Sequence, residues 1–301
     1  MALNLFYIKK WYRMITGKSI LHVNQPIGKF YERNMIKGYY NDLREKVLKG
    51  NVAINQLPDT ELSNGQKIEF AIAIFQYGLG AYDLYLETKD KNYYSRFMLS
   101  VEWAVEHQDS NGGWKAFESE CKINPYSSMA QGEGISLLLR AFQETHKKQY
   151  LDKATKAINF MKKDIKENGC TVYQREEIYL KEFPEKPLVL NGWIFSLFGI
   201  YDYFLLTKDD NIKSFFDKNV KTLVCVLPQF DNGYWSKYDI EKKIASPFYH
   251  NLHVALLKVL CDLTGEKIFD EYSQKFDKYQ KKKWNKIKAF LKKAIQKILE
   301  R

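Results

Sequence analysis

Residues 82–97 read YDLYLETKDKNYYSRF. The pattern returns as LLRAFQETHKKQYLDKA at 138–154, YDYFLLTKDDNIKSFFDK at 201–218 and LKVLCDLTGEKIFDEY at 257–272. Setting Thr88, Thr145, Thr207 and Thr264 in register gives spacings of 57, 62 and 57 residues and aligns Tyr93, Tyr150, Ile212 and Phe269. Each unit predicts a helix, a short polar turn and a second helix, and a fixed period of this length means stacked repeats. Two units are followed by related loops, HQDSNGGW at 107–114 and PQFDNGYW at 228–235. Asn-Gly pairs supply the positive-φ positions of tight turns, and the tryptophan can pack over the loop. Helix hairpins closed by Gly/Trp loops predict an all-α fold, an α/α toroid with a complete or incomplete (α/α)6-type barrel. Inner helices would ring a central cleft, outer helices would cover them, and short strands would be confined to loops.

Composition agrees. With 301 residues, 45% hydrophobic and 15% aromatic, the chain can bury a large core. Four scattered cysteines without a CxxC pair suggest neither a zinc site nor a disulfide framework, and fit a reducing compartment. Lys9, Lys10 and Arg13 break up the apolar N-terminus, so no secretion signal is read there. Pro187 to Thr207 is almost apolar enough to span a bilayer, but Asn191, Gly192 and Asp202 favour a helix buried on all sides. The expected division is an N-terminal helical extension (1–35), the toroid (36–280, with loops or short strands before residue 70) and a basic amphipathic helix (281–301).

Counting back from each threonine puts the inner-helix starts near Phe70 to Gln76, Ser128 to Gly134, Val189 to Ser196 and Phe248 to His253. These starts carry Gln131, Glu133, Asn191, Trp193, Tyr249, His250 and His253. Any one of them could cap a helix or pack in a core. Together they predict a polar, aromatic cleft at one end of the ring.

The stretches GYYNDLREKV (38–47), IFQYGLGAYDLYL (74–86), YSSMAQGEGISLLLRAF (126–142), EFPEKPLVLNGWIFSLFGIYDY (182–203), LPQFDNGYWSKYD (227–239) and FYHNLHVALLKVL (248–260) resemble, in order and spacing, the C-terminal domain of the D-glucuronyl C5-epimerases. The resemblance implies an enzyme that inverts C5 of glucuronate within a polysaccharide to give iduronate. It implies catalytic roles for Glu182, Tyr238 and Tyr249. Three departures stand out. Phe183 replaces a tyrosine beside the glutamate. Glu241 stands where an arginine is expected near the substrate carboxylate, so either another cation takes that role, with Arg140 and Arg175 as candidates, or substrate recognition differs. The β-rich domains that precede the toroid in the animal enzymes have almost no room here.

The chemistry explains these residue types. A C5 epimerase removes a weakly acidic proton and returns one from the opposite face, so it needs two acid/base groups and donors for the charge that builds on the carboxylate. Phenols suit the task only if neighbouring charge brings their pKa, normally about 10, into range. His250 and His253 could orient Tyr249 or bind the uronate at a helix N-terminus. Asn191 and Gln131 could bond sugar hydroxyls, and Tyr126, Trp193 and Trp235 could stack on pyranose faces. The HxxH spacing lacks a third ligand, so neither a metal nor a cofactor is expected.

Of the net charge of +11, Tyr272 to Arg301 carry +9, leaving a nearly neutral body and no case for nucleic acid. In Lys281 to Arg301, Trp284, Ile287, Leu291, Ala294 and Ile298 recur at helical steps among lysines. This fits an interfacial helix on an anionic membrane, a partner helix, or a clamp for an acidic polysaccharide. The first would suit a cytoplasmic bacterial enzyme at the inner face of the cell membrane, working on a heparosan-like capsule. A homodimer is compatible with the pattern. Competing functions are a uronate polysaccharide lyase, which shares the first proton abstraction, and a non-catalytic glycan-binding protein.

Overall fold

The computed structural model of the protein describes residues 19, 22–50, 52–62 and 64–299, the last three as backbone alone. Chain order is α1 (Arg44–Gly50), β1 (Asp59–Glu61), β2 (Lys67–Glu69), α2 (Ala71–Thr88), α3 (Lys91–Glu106), α4 (Ser128–Thr145), α5 (Lys148–Met161), β3 (Thr171–Gln174), β4 (Glu177–Leu180), α6 (Leu190–Thr207), α7 (Asp210–Val226), α8 (Pro247–Thr264), α9 (Lys267–Lys281) and α10 (Lys283–Leu299). The strands form two separate antiparallel hairpins. Helices α2, α4, α6 and α8 pack side by side in succession, and each is covered by the helix that follows it. This is the α/α toroid arrangement, and the inner helices begin where the repeat places them.

Pattern dictates layer. Residues 71–84 of α2 and 190–203 of α6 are buried without interruption, as expected of helices apolar all round. Outer helices α5 and α7 bury one face only. No helix among the described residues is long and apolar enough to cross a membrane, and α6 is a core helix.

The repeated threonine closes each inner helix. Its hydroxyl donates to the carbonyl four residues back: Thr88 to Leu84 at 2.8 Å, Thr145 to Ala141 at 2.7 Å, Thr207 to Tyr203 at 2.9 Å and Thr264 to Leu260 at 2.7 Å. The same oxygen accepts from the N–H two residues on, in Asp90, Lys147, Asp209 and Glu266. Between these partners the chain turns through a left-handed residue, Lys89, His146, Lys208 or Gly265. Asp90 and Asp209 then cap α3 and α7 by accepting from Asn92 and Asn211.

Three further repeat-equivalent residues make a ladder of buried charge: Asp83, Arg140 and Asp202, each seven or more residues beyond the polar helix starts. The Arg140 guanidinium, 1% exposed, pairs with Asp202 at 2.7 Å and donates to the Ser136 and Gly38 carbonyls. Tyr40 donates to Asp202 at 2.8 Å, and the Tyr39 N–H donates to Asp83 at 3.0 Å. The GYY segment at 38–40 is thereby pinned against the inner helices, with Arg140 over both tyrosine rings. Arg140 is therefore a structural ion and not a cation for substrate, because its charge is already matched.

Of the N-terminal extension, residues 1–18, 20 and 21 lie outside the described residues. Residues 22–43 are extended chain and turns rather than helix. They double back so that Gly28 N–H reaches the Tyr40 carbonyl at 2.8 Å. At the other end, α10 docks through Ala289, Lys293 and Gln296. Gln296 accepts from the Ile244 N–H at 3.0 Å and donates to the Lys242 carbonyl at 2.6 Å.

Candidate active site

The N-terminal ends of α4, α6 and α8 meet two loops, residues 181–189 and 236–246. Glu182 follows β4, whose exit is fastened by the Ser128 N–H donating to the Lys181 carbonyl at 3.0 Å. Its carboxylate lies against Gly192 so closely that a Cβ there would stand 2.2 Å from Glu182 Oε2, which is why the NG pair opens α6. Tyr238 is held by backbone: its carbonyl accepts from Leu190 N–H, the first residue of α6, and its N–H donates to the Lys243 carbonyl at 2.6 Å. Asp239 closes the turn by accepting from Lys242 and Lys243 N–H. Tyr249 is in the first turn of α8, where Ser246 caps the helix.

The rings of Tyr238 and Tyr249 meet edge to face with centroids 4.8 Å apart. No pyranose fits between rings this close, so the two phenols share one side of the candidate site. Both rings keep some exposed area, yet protein surrounds them densely enough for burial to dominate their acidity. Burial and then the Glu182 charge push both phenols well above the usual tyrosine value. This is opposite to the lowering that a phenolate base would need, and it keeps both phenols protonated at neutral pH. The Glu182 carboxyl, 6% exposed, is lifted to about 8, by burial first and then by Glu120, against the pull of Lys186. A group with that proton affinity can both take and give a proton near neutrality.

A second raised carboxyl feels the charge of this one. Glu133, fully buried in α4, accepts from Gln76 Nε2 of α2 at 2.7 Å, and burial lifts it to about 8. Glu182 raises it further, while Lys46 of α1 works in the opposite direction. Lys46 is itself buried, which lowers its ammonium to about 8. Glu133 Oε2, Glu182 Oε2 and Asn191 Oδ1 are all buried with no hydrogen-bond partner among the described residues. A cluster of unsatisfied buried acceptors requires an explanation, and a ligand rich in hydroxyls supplies one.

Other expected contact residues serve the frame. Gln131 accepts from the Trp114 N–H and donates to the Trp114 carbonyl, both at 3.0 Å, locking the first Gly/Trp loop. His250, at the same register in α8, accepts at Nδ1 from the Ser236 N–H at 3.0 Å, and its Nε2 bonds the Phe276 carbonyl at 2.9 Å. Trp235 stacks on His250 at 3.7 Å and donates to the Ala245 carbonyl. His253 bonds Ser236 Oγ through Nδ1 at 2.9 Å, and its buried Nε2 has no partner among the described residues. Burial lowers His250 to about 4 and His253 to about 3, so both imidazoles are neutral; His250 spends both nitrogens on the frame, whereas His253 has one buried nitrogen without a partner among the described residues. Tyr126 donates to Asp109 at 2.7 Å in the first loop, and Trp193 is sealed against Tyr179. These rings have no free face for a sugar. Arg175 occupies the exposed β3–β4 turn, and Glu241 is exposed on its own turn. Phe183 stacks on Phe117 at 4.0 Å, so the position expected to carry a phenol is an apolar wall.

Asn191, Glu182, Tyr238 and Tyr249 are thus the expected residues that converge, and Lys46, Gln76 and Glu133 join them. Among the described residues no group of three His, Cys, Asp or Glu side chains could hold a metal ion.

Comparison with known proteins bears on this same region. The D-glucuronyl C5-epimerase of Caenorhabditis elegans is 28% identical over 212 residues, covering 61% of this chain and 34% of that protein. An uncharacterized protein of Methanocaldococcus jannaschii is 28% identical over 157 residues, half of each chain. The chain therefore spans about a third of the worm enzyme and half of the archaeal protein. A solved structure of UGL with dGlcA-Glc-Rha-Glc aligns at 14% identity and a TM-score of 0.45, covering 72% of this chain and 61% of that one. The family model described as D-glucuronyl C5-epimerase C-terminus matches residues 108–278, which include Glu133, Glu182, Tyr238 and Tyr249. Since that match takes in more than half of the chain, the protein belongs to the D-glucuronyl C5-epimerase C-terminal family.

Proposed function

We propose that the protein is a C5-epimerase of glucuronate residues within a polysaccharide. The observation that carries this reading is the Glu182 carboxyl, buried with a proton affinity near neutrality beside two phenols that remain protonated. In this mechanism the ionised form of Glu182, a minor fraction at neutral pH that grows as pH approaches 8, takes the C5 proton, breaking the C5–H bond and leaving the electron pair delocalised into the substrate carboxylate. A phenol of the Tyr238/Tyr249 pair returns a proton to the opposite face, and solvent restores the phenol. The developing negative charge needs a donor, because Glu241 cannot serve. Lys46 is the buried cation of this cluster, and the backbone N–H groups opening α6 and α8 add donors. Asn191 and Gln76 hold sugar hydroxyls.

The test is incubation with a glucuronate-containing polymer such as heparosan in deuterated water. Epimerisation gives deuterium at C5 together with iduronate signals. Unsaturated product absorbing in the near ultraviolet would replace this reading by eliminative cleavage, and neither signal would replace it by binding alone.

A further inference from the structure

We infer that the outward face of α10 is a docking surface for an anionic lipid bilayer, on which the helix lies flat. The apolar stripe of this helix is not used to hold it to the body. Trp284 is 81% exposed, Ile287 49%, Leu291 55% and Ile295 56%. The body is gripped by the opposite side, through Ala289 and Gln296, with Asn285 donating to the Tyr279 carbonyl at 3.2 Å. At 100° per residue the stripe is centred near Leu291, about half a turn from that grip. Apart from Phe290 on the same helix, the other exposed large hydrophobic residues described, Ile27, Met35, Leu48, Ile54, Ile123 and Tyr173, are scattered singly over the body and form no comparable stripe.

Charge identifies the occupant. Lys288 and Lys292 lie along one margin of the stripe and Lys283 along the other, and no acidic residue occurs from Lys278 to Leu299. Aromatic and aliphatic residues flanked on both sides by lysines match the boundary between acyl chains and anionic headgroups. A protein partner is disfavoured by size. A helix of 17 residues is about 25 Å long, and its outward strip offers roughly 250 Å2, well short of the ~800 Å2 per partner in stable interfaces. Through the docked side of the same helix, Lys293 sits 5.7 Å from the ring centroid of Tyr238, so a bilayer on the outer face would lie one helix diameter from the candidate site.

This inference is independent of the proposed reaction, since vesicle binding needs no turnover. The full chain is sedimented with phosphatidylcholine vesicles and with vesicles that also contain phosphatidylglycerol. The expected result is binding at least about tenfold stronger to the anionic vesicles, weakened by salt. The variant carrying Trp284→Ser, Leu291→Ser and Ile295→Ser, which spares the gripping side, should lose about tenfold or more, with unchanged circular dichroism. If that variant does not fold, Lys283→Gln with Lys292→Gln decides, with a loss of anionic preference expected. Absence of binding to anionic vesicles, or equal binding by wild type and folded variants, overturns the inference. So does a wild-type dimer that the serine variant converts to monomer, which would assign the stripe to a second copy.

Discussion

Two layers of buried charge cross the inner helices about two turns apart, and one contains a matched ion pair where the other contains two raised carboxyls. In the Asp83–Arg140–Asp202 ladder, Arg140 faces Asp202 and the Tyr40 hydroxyl takes its other oxygen, while Asp83 accepts from the Tyr39 N–H with one oxygen, has its second without a partner among the described residues, and is lifted by burial to about 7. In the Glu133–Glu182 layer, the Glu182 charge adds to the raising of Glu133, and each carboxyl has an oxygen lacking a partner among the described residues. The ladder's charges are spent on holding the GYY segment. The unmatched layer is held by the frame yet incompletely satisfied by it, which is the condition expected where chemistry is done.

Three substitutions or conditions would break or sharpen this contrast. The largest effect is expected in the ladder: Arg140→Met leaves Asp202 buried without its cation and should destabilise the fold by about 3–5 kcal/mol in urea unfolding. A loss below about 1 kcal/mol would mean the ladder is not structural.

The carboxyl layer should respond to pH instead. Glu133 and Glu182 titrate near 8 in the folded protein against 4.5 when unperturbed. The folded state therefore binds more protons between those values, so their contribution is fully present below about 4.5 and is lost as pH rises toward 8. His250 and His253, lowered to about 4 and 3, act the other way: their contribution is present above 6.5 and is lost as pH falls. Glu182→Gln should thus gain about 2 kcal/mol on wild type between pH 6 and pH 8. A pH-independent difference would remove the claim that this carboxyl is held protonated. The smallest effect is expected at the far ends of the helices, where Thr207→Ala deletes one cap and should cost about 0.5–1.5 kcal/mol without altering any pH dependence.

Much of this was legible in the sequence because the repeat is local. Threonine and turn residue recur within a few positions in all four units, with an acidic cap in two of them, so hairpins and helix ends follow from spacing alone. Gln131 and His250 misled for a related reason. Polar residues at equivalent inner-helix positions point to a shared task, and that task is latching a Gly/Trp loop, a contact visible only once the loop is folded over it. Lys46 carried no signal, since it comes from α1, outside the repeat, and only tertiary packing brings it to Glu133. The resemblance to the epimerases pointed to Glu182, Tyr238 and Tyr249 as candidates, but not to the contact between the phenols or to burial raising them. The amphipathic pattern of α10 was plain, whereas the face left outward depended on where Gln296 finds its partners.

The most direct test of the central claim is C5 deuterium incorporation into a glucuronate polymer by wild type, Glu182→Gln and Tyr249→Phe, with melting temperature measured in parallel. The account predicts incorporation by wild type and a fall of at least about a hundredfold in both variants, without loss of folding. Wild type that incorporates no deuterium, or folded variants that match it, would contradict the account.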